Sequence, residues 1–174
     1  YTSDFYKQNN IFDLELFKQM LAKQDITPLE LEIWSQKFKE YEIYENERLR
    51  AGFRVIECEK EVEISFCGVQ IKGVIDRIDA DANGDALIVD YKTGEANVNS
   101  LQLAFYEALY ASGARSAYYA LKNEPELLSS KKSVSDLEAE IEKLKEINGS
   151  EINFERKSGA CKFCDYALLC RREL

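Results

Sequence analysis

Apolar and polar positions recur along this chain with two different periods, and each switch between them marks an element. Leu14, Phe17 and Leu21 fall at helical spacing and predict a short helix near 13–23. Thr27-Pro28-Leu29-Glu30 is a capping box with proline at the first helical position. The helix it opens carries Leu31, Trp34, Phe38 and Tyr41 as one stripe and should run to about 50, with Gly52 as its stop. That stripe reads as core packing rather than a base-stacking surface. From 53 the period shortens to two and predicts strands near 53–66, 69–79 and 86–92, with a tight turn at Phe66-Cys67-Gly68-Val69. Asn99-Ser100-Leu101-Gln102 resembles a capping box and opens a helix over about 100–112 that ends at Gly113. Residues 117–121 read as another strand, and 123–132 as a polar loop. Ser135-Asp136-Leu137-Glu138 caps a last helix to about 147, with Leu137, Ile141, Leu144 and Ile147 as its stripe. Asn148-Gly149-Ser150 ends it, and an extended piece around Ile152 and Phe154 follows. The class is α/β, in the order helix, three strands, helix, strand.

The two central strands carry charges that a hydrophobic sheet does not need. Asp76 sits in the run Gly73-Val74-Ile75-Asp76-Arg77-Ile78-Asp79, and Asp90 ends the run Ala86-Leu87-Ile88-Val89. Between them Asp81-Ala82-Asn83-Gly84-Asp85 is a hairpin signal. Position 83 is midway between 76 and 90, so a turn there sets the two aspartates opposite each other, within one residue of register. Lys92 is two residues beyond Asp90 and points to the same face. Two facing carboxylates with an ammonium beside them suit a divalent cation and a phosphate. The structural alternative is a strand-end pair of Asp90 with Lys92, and Asp76 paired with Arg77 or Lys72. Asp79 and Asp81 read as turn-forming residues of the hairpin. Gln102 and Tyr106 are neighbours on one helix face; their plain roles are capping service to Asn99 and core burial.

With Asp90-Tyr91-Lys92-Thr93-Gly94 and Gln102-Leu103-Ala104-Phe105-Tyr106, these runs resemble the PD-(D/E)XK nuclease superfamily. They are most similar to the branch of RecB and AddB nuclease domains and the CRISPR-associated iron–sulfur exonucleases. The resemblance implies a restriction-endonuclease-like αβββαβ core, a mixed central sheet flanked by helices, over 52–174, with 1–51 as a helical segment packed on it. It implies a Mg²⁺-dependent deoxyribonuclease, with Mn²⁺ as a substitute. Asp76, Asp90 and the Tyr91 carbonyl would hold the metal, and Lys92, Gln102 and Tyr106 would serve the scissile phosphate. The activity implied is exonucleolytic, within a helicase–nuclease that processes double-strand breaks for repair and recombination. DNA and a helicase domain or partner subunit are the expected partners. No Walker motif is present, so this stretch holds no motor. A catalytically silent nuclease-like scaffold that binds DNA or a partner is the rival.

The tail, Cys161-Lys162-Phe163-Cys164-Asp165-Tyr166-Ala167-Leu168-Leu169-Cys170, has the spacing that in these relatives gives three thiolates to a [4Fe–4S] cluster. A helical turn over 166–169 would return Cys170 to the other two. The family's fourth thiolate precedes the nuclease core. Cys58 and Cys67 lie in the strands instead, so an incomplete or absent cluster is expected in this stretch. Zinc is the rival occupant, and three free thiols the plain reading. The branch also carries a histidine ahead of the first catalytic strand. This chain has no histidine, so either it precedes Tyr1 or the protein lacks it. Glu57 or Glu59, otherwise solvated edge-strand charges, could supplement the metal shell. A first residue of Tyr1 reads as a fragment of something longer.

Composition limits this picture in two ways. A net charge of −9 argues against a simple electrostatic grip on nucleic acid. The charge is uneven, with five Lys/Arg against four Asp/Glu in 151–174 and seven against ten in 1–50. No apolar run approaches a membrane span and no export signal opens the chain, so its five cysteines do not suggest a disulfide framework. The expected setting is cytoplasmic, without membrane.

Overall fold

The computed structural model describes Tyr6, residues 10–110 and residues 113–147. Helix α1 spans Leu14–Leu21, capped by Asp13, whose carboxylate accepts from the Leu16 N–H. Helix α2 spans Pro28–Arg50. Thr27 Oγ1 accepts from the Glu30 N–H at 3.2 Å, and the Glu30 carboxylate accepts from the Thr27 N–H at 2.7 Å. The predicted capping box is thus formed in both directions. Gly52 follows the C-cap Ala51 at φ 99°, the left-handed backbone that lets the chain leave the helix.

Strands β1 (Arg54–Phe66) and β2 (Val69–Ala80) are antiparallel, as are β2 and β3 (Ala86–Lys92). Both residues of the first turn, Cys67 and Gly68, have positive φ, as a two-residue hairpin of native twist requires. In the second turn Gly84 has φ 90°, and the Asp81 carboxylate accepts from the Asn83 and Asp85 N–H groups. Helix α3 (Gln102–Tyr110) crosses over to β4 (Arg115–Ala120), which lies parallel to β3. A short β5 (Glu126–Leu128) then pairs antiparallel with β4. The sheet order is β1-β2-β3-β4-β5, a mixed α/β sheet. Helix α4 spans Val134–Ile147. Residues up to Ile141 form one unit with the sheet; in Glu142–Ile147 the helix continues, with Lys145 paired to Glu142. Among the described residues no helix is long and apolar enough to cross a membrane.

Several expectations are corrected. The loop predicted over 123–132 contains β5, which three residues of weak pattern did not reveal. The last helix is capped two residues earlier than predicted: Asp136 N–H donates to Ser133 Oγ, and the Asp136 carboxylate accepts from Ser133. Leu137 and Ile141 of its stripe are buried while Leu144 is exposed. The tail cysteines Cys161, Cys164 and Cys170, the turn over 166–169, and Ile152 and Phe154 lie outside the described residues.

Each face of the sheet has its own core. On one face Phe12 and Leu14 pack with Tyr41 and Leu49 of α2 against Val55, Leu87, Val89, Ala117 and Tyr119. On the other, Ala104 and Ala108 of α3 pack with Leu137 and Ile141 of α4, while Ile75, Ile78 and Ile88 meet Tyr106 and Tyr110. Gly73 sets how closely α3 can approach. A Cβ there would stand 2.9 Å from Leu109 Cδ1 and 3.1 Å from Phe105 Cε1.

The first core encloses four charges. Arg77, Asp79 and Glu45 are each 0% exposed, and Arg48 is 7% exposed. Arg77 pairs with Glu45 at 2.6 Å and with Asp79 at 2.6 Å, and Arg48 pairs with Asp79 at 2.8 Å and Glu45 at 3.1 Å. The square is electrically neutral. Tyr119 adds a hydrogen bond to Glu45 at 3.2 Å. Asp79 is therefore not a turn residue, as the sequence suggested, but a buried counter-charge. Burial alone would lower the Arg77 pKa; Tyr91, Asp79 and Glu45 hold it well above the ordinary value.

Two stability predictions follow from this packing. Gly73→Val overpacks the contact with α3 and should lower stability by about 1–3 kcal/mol; a urea midpoint equal to that of wild type would show that α3 can yield. Asp79→Asn leaves two buried guanidinium groups facing one carboxylate. It should destabilise by about 3 kcal/mol or more, read by urea unfolding. An unaltered midpoint would mean that water reaches the square.

Candidate active site

The hairpin register decides where the sequence's carboxylates meet. Arg77 pairs with Val89 and Ile78 with Ile88. Extending that register by one residue places Asp76 opposite Asp90. On β3, Leu87, Val89 and Tyr91 turn toward α2, so Ile88, Asp90 and Lys92 turn toward α3. Asp76 lies on this α3 face as well, because β2 changes face beside it. Ile75 packs with Tyr106 on the α3 side, whereas Arg77, two residues on, packs with Glu45 on the α2 side. β1 is irregular at the same level: Cys58 pairs with Arg77 and Lys60 with Ile75, which sets Glu59 opposite Asp76, and Glu59 has φ 52°. A non-glycine residue in this left-handed region is strained by about 1–2 kcal/mol. The irregularity lets Ile75 and Asp76 face the same side.

Asp90 is 2% exposed. Its Oδ1 accepts from Gln102 Nε2 at 2.8 Å, and the same amide nitrogen donates to Tyr106 Oη at 3.1 Å. Lys92 Nζ is 2.6 Å from Asp90 Oδ2, but outside hydrogen-bonding geometry. That oxygen has a counter-charge and no hydrogen-bond donor. Lys92 also lies 5.4 Å from the centre of the Tyr118 ring. Asp76 Oδ2 accepts from the Tyr91 N–H at 3.1 Å. Burial raises the Asp76 pKa above the ordinary value, with the charges of Asp90 and Glu59 acting in the same sense; the Tyr91 N–H and Lys92 oppose them. Burial likewise raises the Tyr106 phenol, which stays protonated and able to donate.

The structure thus brings Asp76, Asp90, Lys92, Gln102 and Tyr106 onto one face at the end of β3. The Asp90–Lys92 pair of the structural alternative exists; pairing of Asp76 with Arg77 does not, because Arg77 faces away. Gln102 does not cap the helix by reaching back to Asn99: its side chain is spent on Asp90 and Tyr106, and Ser100 Oγ accepts from the Gln102 N–H instead. Glu57 pairs with Lys60 near the surface. Cys58 packs in the α2-side core and Cys67 in the α3-side core, so they sit on opposite faces.

The donor set fits a hard divalent cation. Asp76 and Asp90 are like charges, partly or wholly desolvated, and a cation relieves their repulsion. Among the described residues no three Asp, Glu, His or Cys side chains group as a metal site. An apolar recess of about 340 Å³ lies on the α2 side, lined among others by Phe17, Trp34, Phe38 and Tyr41. It holds no charged lining residue among those described, and the ring of Tyr91 forms part of its wall.

The sequence reading missed the hydroxyls behind the site. Tyr91 Oη accepts from Arg77 Nη1 at 2.9 Å and lies 3.2 Å from Tyr41 Oη. A sequence signal existed: Arg77 and Asp79 are two apart on a strand, hence on one face, and Glu45 and Arg48 are one helical turn apart.

The raised Asp76 pKa has a testable sign. Between the ordinary value of 3.8 and its higher folded value, the folded chain keeps a proton that the unfolded chain has lost. This group therefore favours folding as pH falls through that window and opposes it above. Metal-free Asp76→Asn should melt above wild type at neutral pH, and the gap should close on acidification. Thermal melts in chelator at several pH values measure this; a lower midpoint for the variant at neutral pH would contradict it.

No curated protein matches this chain significantly. The solved crystal structure of SSO0001 is similar, with 18% identity over 90% of this chain and 77% of that one, at a TM-score of 0.43. A family model described as the PD-(D/E)XK nuclease superfamily matches residues 7–171, nearly the whole chain. With its mixed five-stranded sheet and flanking helices, the chain belongs to the PD-(D/E)XK nuclease superfamily.

Proposed function

We propose that this chain hydrolyses DNA phosphodiester bonds as a cation-dependent exonuclease of the RecB/AddB kind. The observation that carries the reading is the convergence of Asp76, Asp90 and Lys92, with Gln102 joining Asp90 to Tyr106. Asp76, Asp90 and the Tyr91 carbonyl would hold Mg²⁺, or Mn²⁺ in its place. Such an ion, when bound, polarises the phosphodiester and lowers the pKa of water. Gln102 fixes Asp90 through Oδ1 and leaves Oδ2 turned to the site. Lys92 stands at the site's edge with a partly exposed ammonium, suited to charge developing on a phosphate oxygen. Tyr106 presents a protonated hydroxyl to the same region.

The charge of −9 leaves little cationic surface for the phosphate backbone. That supports a parent or partner that carries the DNA, such as a helicase domain or subunit. In the tail, Cys161, Cys164 and Cys170 would give three thiolates to a [4Fe–4S] cluster whose fourth lies ahead of this stretch. Longer protein purified without oxygen should then absorb near ~400 nm; stoichiometric zinc and no colour would assign the tail to zinc.

Lys92→Ala should slow Mg²⁺-dependent degradation of linear DNA by ~10²–10³ and leave Mn²⁺ binding in place. Asp90→Asn should abolish both. Covalently closed circles should be spared. Full-length protein that shows no Mg²⁺-dependent cleavage would favour the silent scaffold, and near-normal cleavage by the Lys92 variant would remove that residue from the mechanism.

A further inference from the structure

Tyr91 sits between Asp90 and Lys92 and faces the other way. Its ring stacks on Tyr119, with centroids 5.6 Å apart, inside the aromatic core beneath α2. Its hydroxyl takes a hydrogen bond from Arg77 Nη1 at 2.9 Å and lies 3.2 Å from Tyr41 Oη. Arg77 is itself immobilised by Glu45 and Asp79 within the neutral square. The Tyr91 backbone, on the far side, donates its N–H to Asp76 Oδ2 at 3.1 Å. One residue thus ties the buried charge square to the Asp76 carboxylate of β2.

We infer that the Tyr91 phenol, held by Arg77 and Tyr41, is a positioning device for the cation site on the opposite face of the sheet. The inference rests on Asp76 and Asp90 being the cation ligands. Its physical content is pre-organisation. Two like-charged carboxylates repel in the metal-free state, and β2 and β3, which carry them, would separate if nothing held them at that level. A hydrogen bond from a fully buried guanidinium opposes a slide or twist of β3 that would move the Tyr91 carbonyl and its N–H together. β2 carries both Asp76 and Arg77, so the bond also spans the two strands that supply the ligands. Ring packing alone would resist such motion less, because a stacked ring can slip in its plane.

The test is Mn²⁺ binding to the full chain, titrated by electron paramagnetic resonance, with thermal melts and circular dichroism on the same samples. Tyr91→Phe keeps the ring and loses only the hydroxyl; it should weaken Mn²⁺ binding roughly 10-fold, as removal of an outer-shell partner does. Tyr41→Phe, which removes one of the two partners and leaves Tyr91 intact, should weaken it in the same direction by less. Tyr119→Phe removes a hydroxyl from the same core that bonds Glu45 instead; it should bind Mn²⁺ as wild type does, even where its melting point falls. Wild-type affinity in Tyr91→Phe, or equal weakening in Tyr119→Phe, would overturn the inference while sparing the cation site. Equal Mn²⁺ binding by wild type and Asp90→Asn would overturn the cation site and the inference with it.

Discussion

Arg77 carries its charge where no water reaches it. A buried guanidinium is tolerable only with its hydrogen-bonding and charge demands met, and here Glu45, Asp79 and two tyrosine hydroxyls meet them. The residues that do so come from α2, β2 and β3. Arg48, the second cation, faces the same two carboxylates from the last turn of α2. The helix and the β2–β3 hairpin are thereby fixed to each other by directional bonds. Apolar contacts on the same face would permit small slips. These do not, since a displacement that broke one pair would strand a charge.

The opposite face solves a different problem. Here two carboxylates, Asp76 and Asp90, lie opposite each other and partly or wholly out of water. Burial and the nearby charge of Asp90 both raise the Asp76 pKa. The counterweights on Asp76 are local, namely the Tyr91 N–H and the Lys92 ammonium. Backbone strain is present here too, at Glu59, where a left-handed strand residue lies opposite Asp76. Stability drawn from the charged, aromatic face supports a site that is costly by itself.

Helix α3 connects these solutions. It is delivered by the crossover between β3 and β4, and Gly73 lets it lie close over β2. That closeness brings Gln102 within hydrogen-bonding distance of Asp90. The same helix buries Leu103, Ala104, Ala108 and Leu109, and Gln102 and Tyr106, half-buried against β2 and β3, are held in place by that packing.

The sequence by itself determined most of the fold and the facing of Asp76 and Asp90 across the hairpin. The strand bounds, the box at Thr27 and Glu30 and both hairpin turns depend on neighbours within a few residues, and local periodicity and turn chemistry encode such things. The pairing of Asp76 with Asp90 was legible because a hairpin converts distance from its turn into register. Contacts between distant segments were not legible. Asp79 looked like a turn residue until β2 was seen to pass beneath Glu45 and Arg48, 34 and 31 positions earlier in the chain. Gln102 looked like a cap until α3 was laid across β3. The face change at Asp76 and Glu59 depends on two strands being irregular at one level, which neither strand's pattern records. β5 is three residues long and exists because β4 offers it an edge. What only the tertiary structure decided is which polar side chains satisfy one another, because a buried charge is stable in whichever place the whole fold supplies its partner.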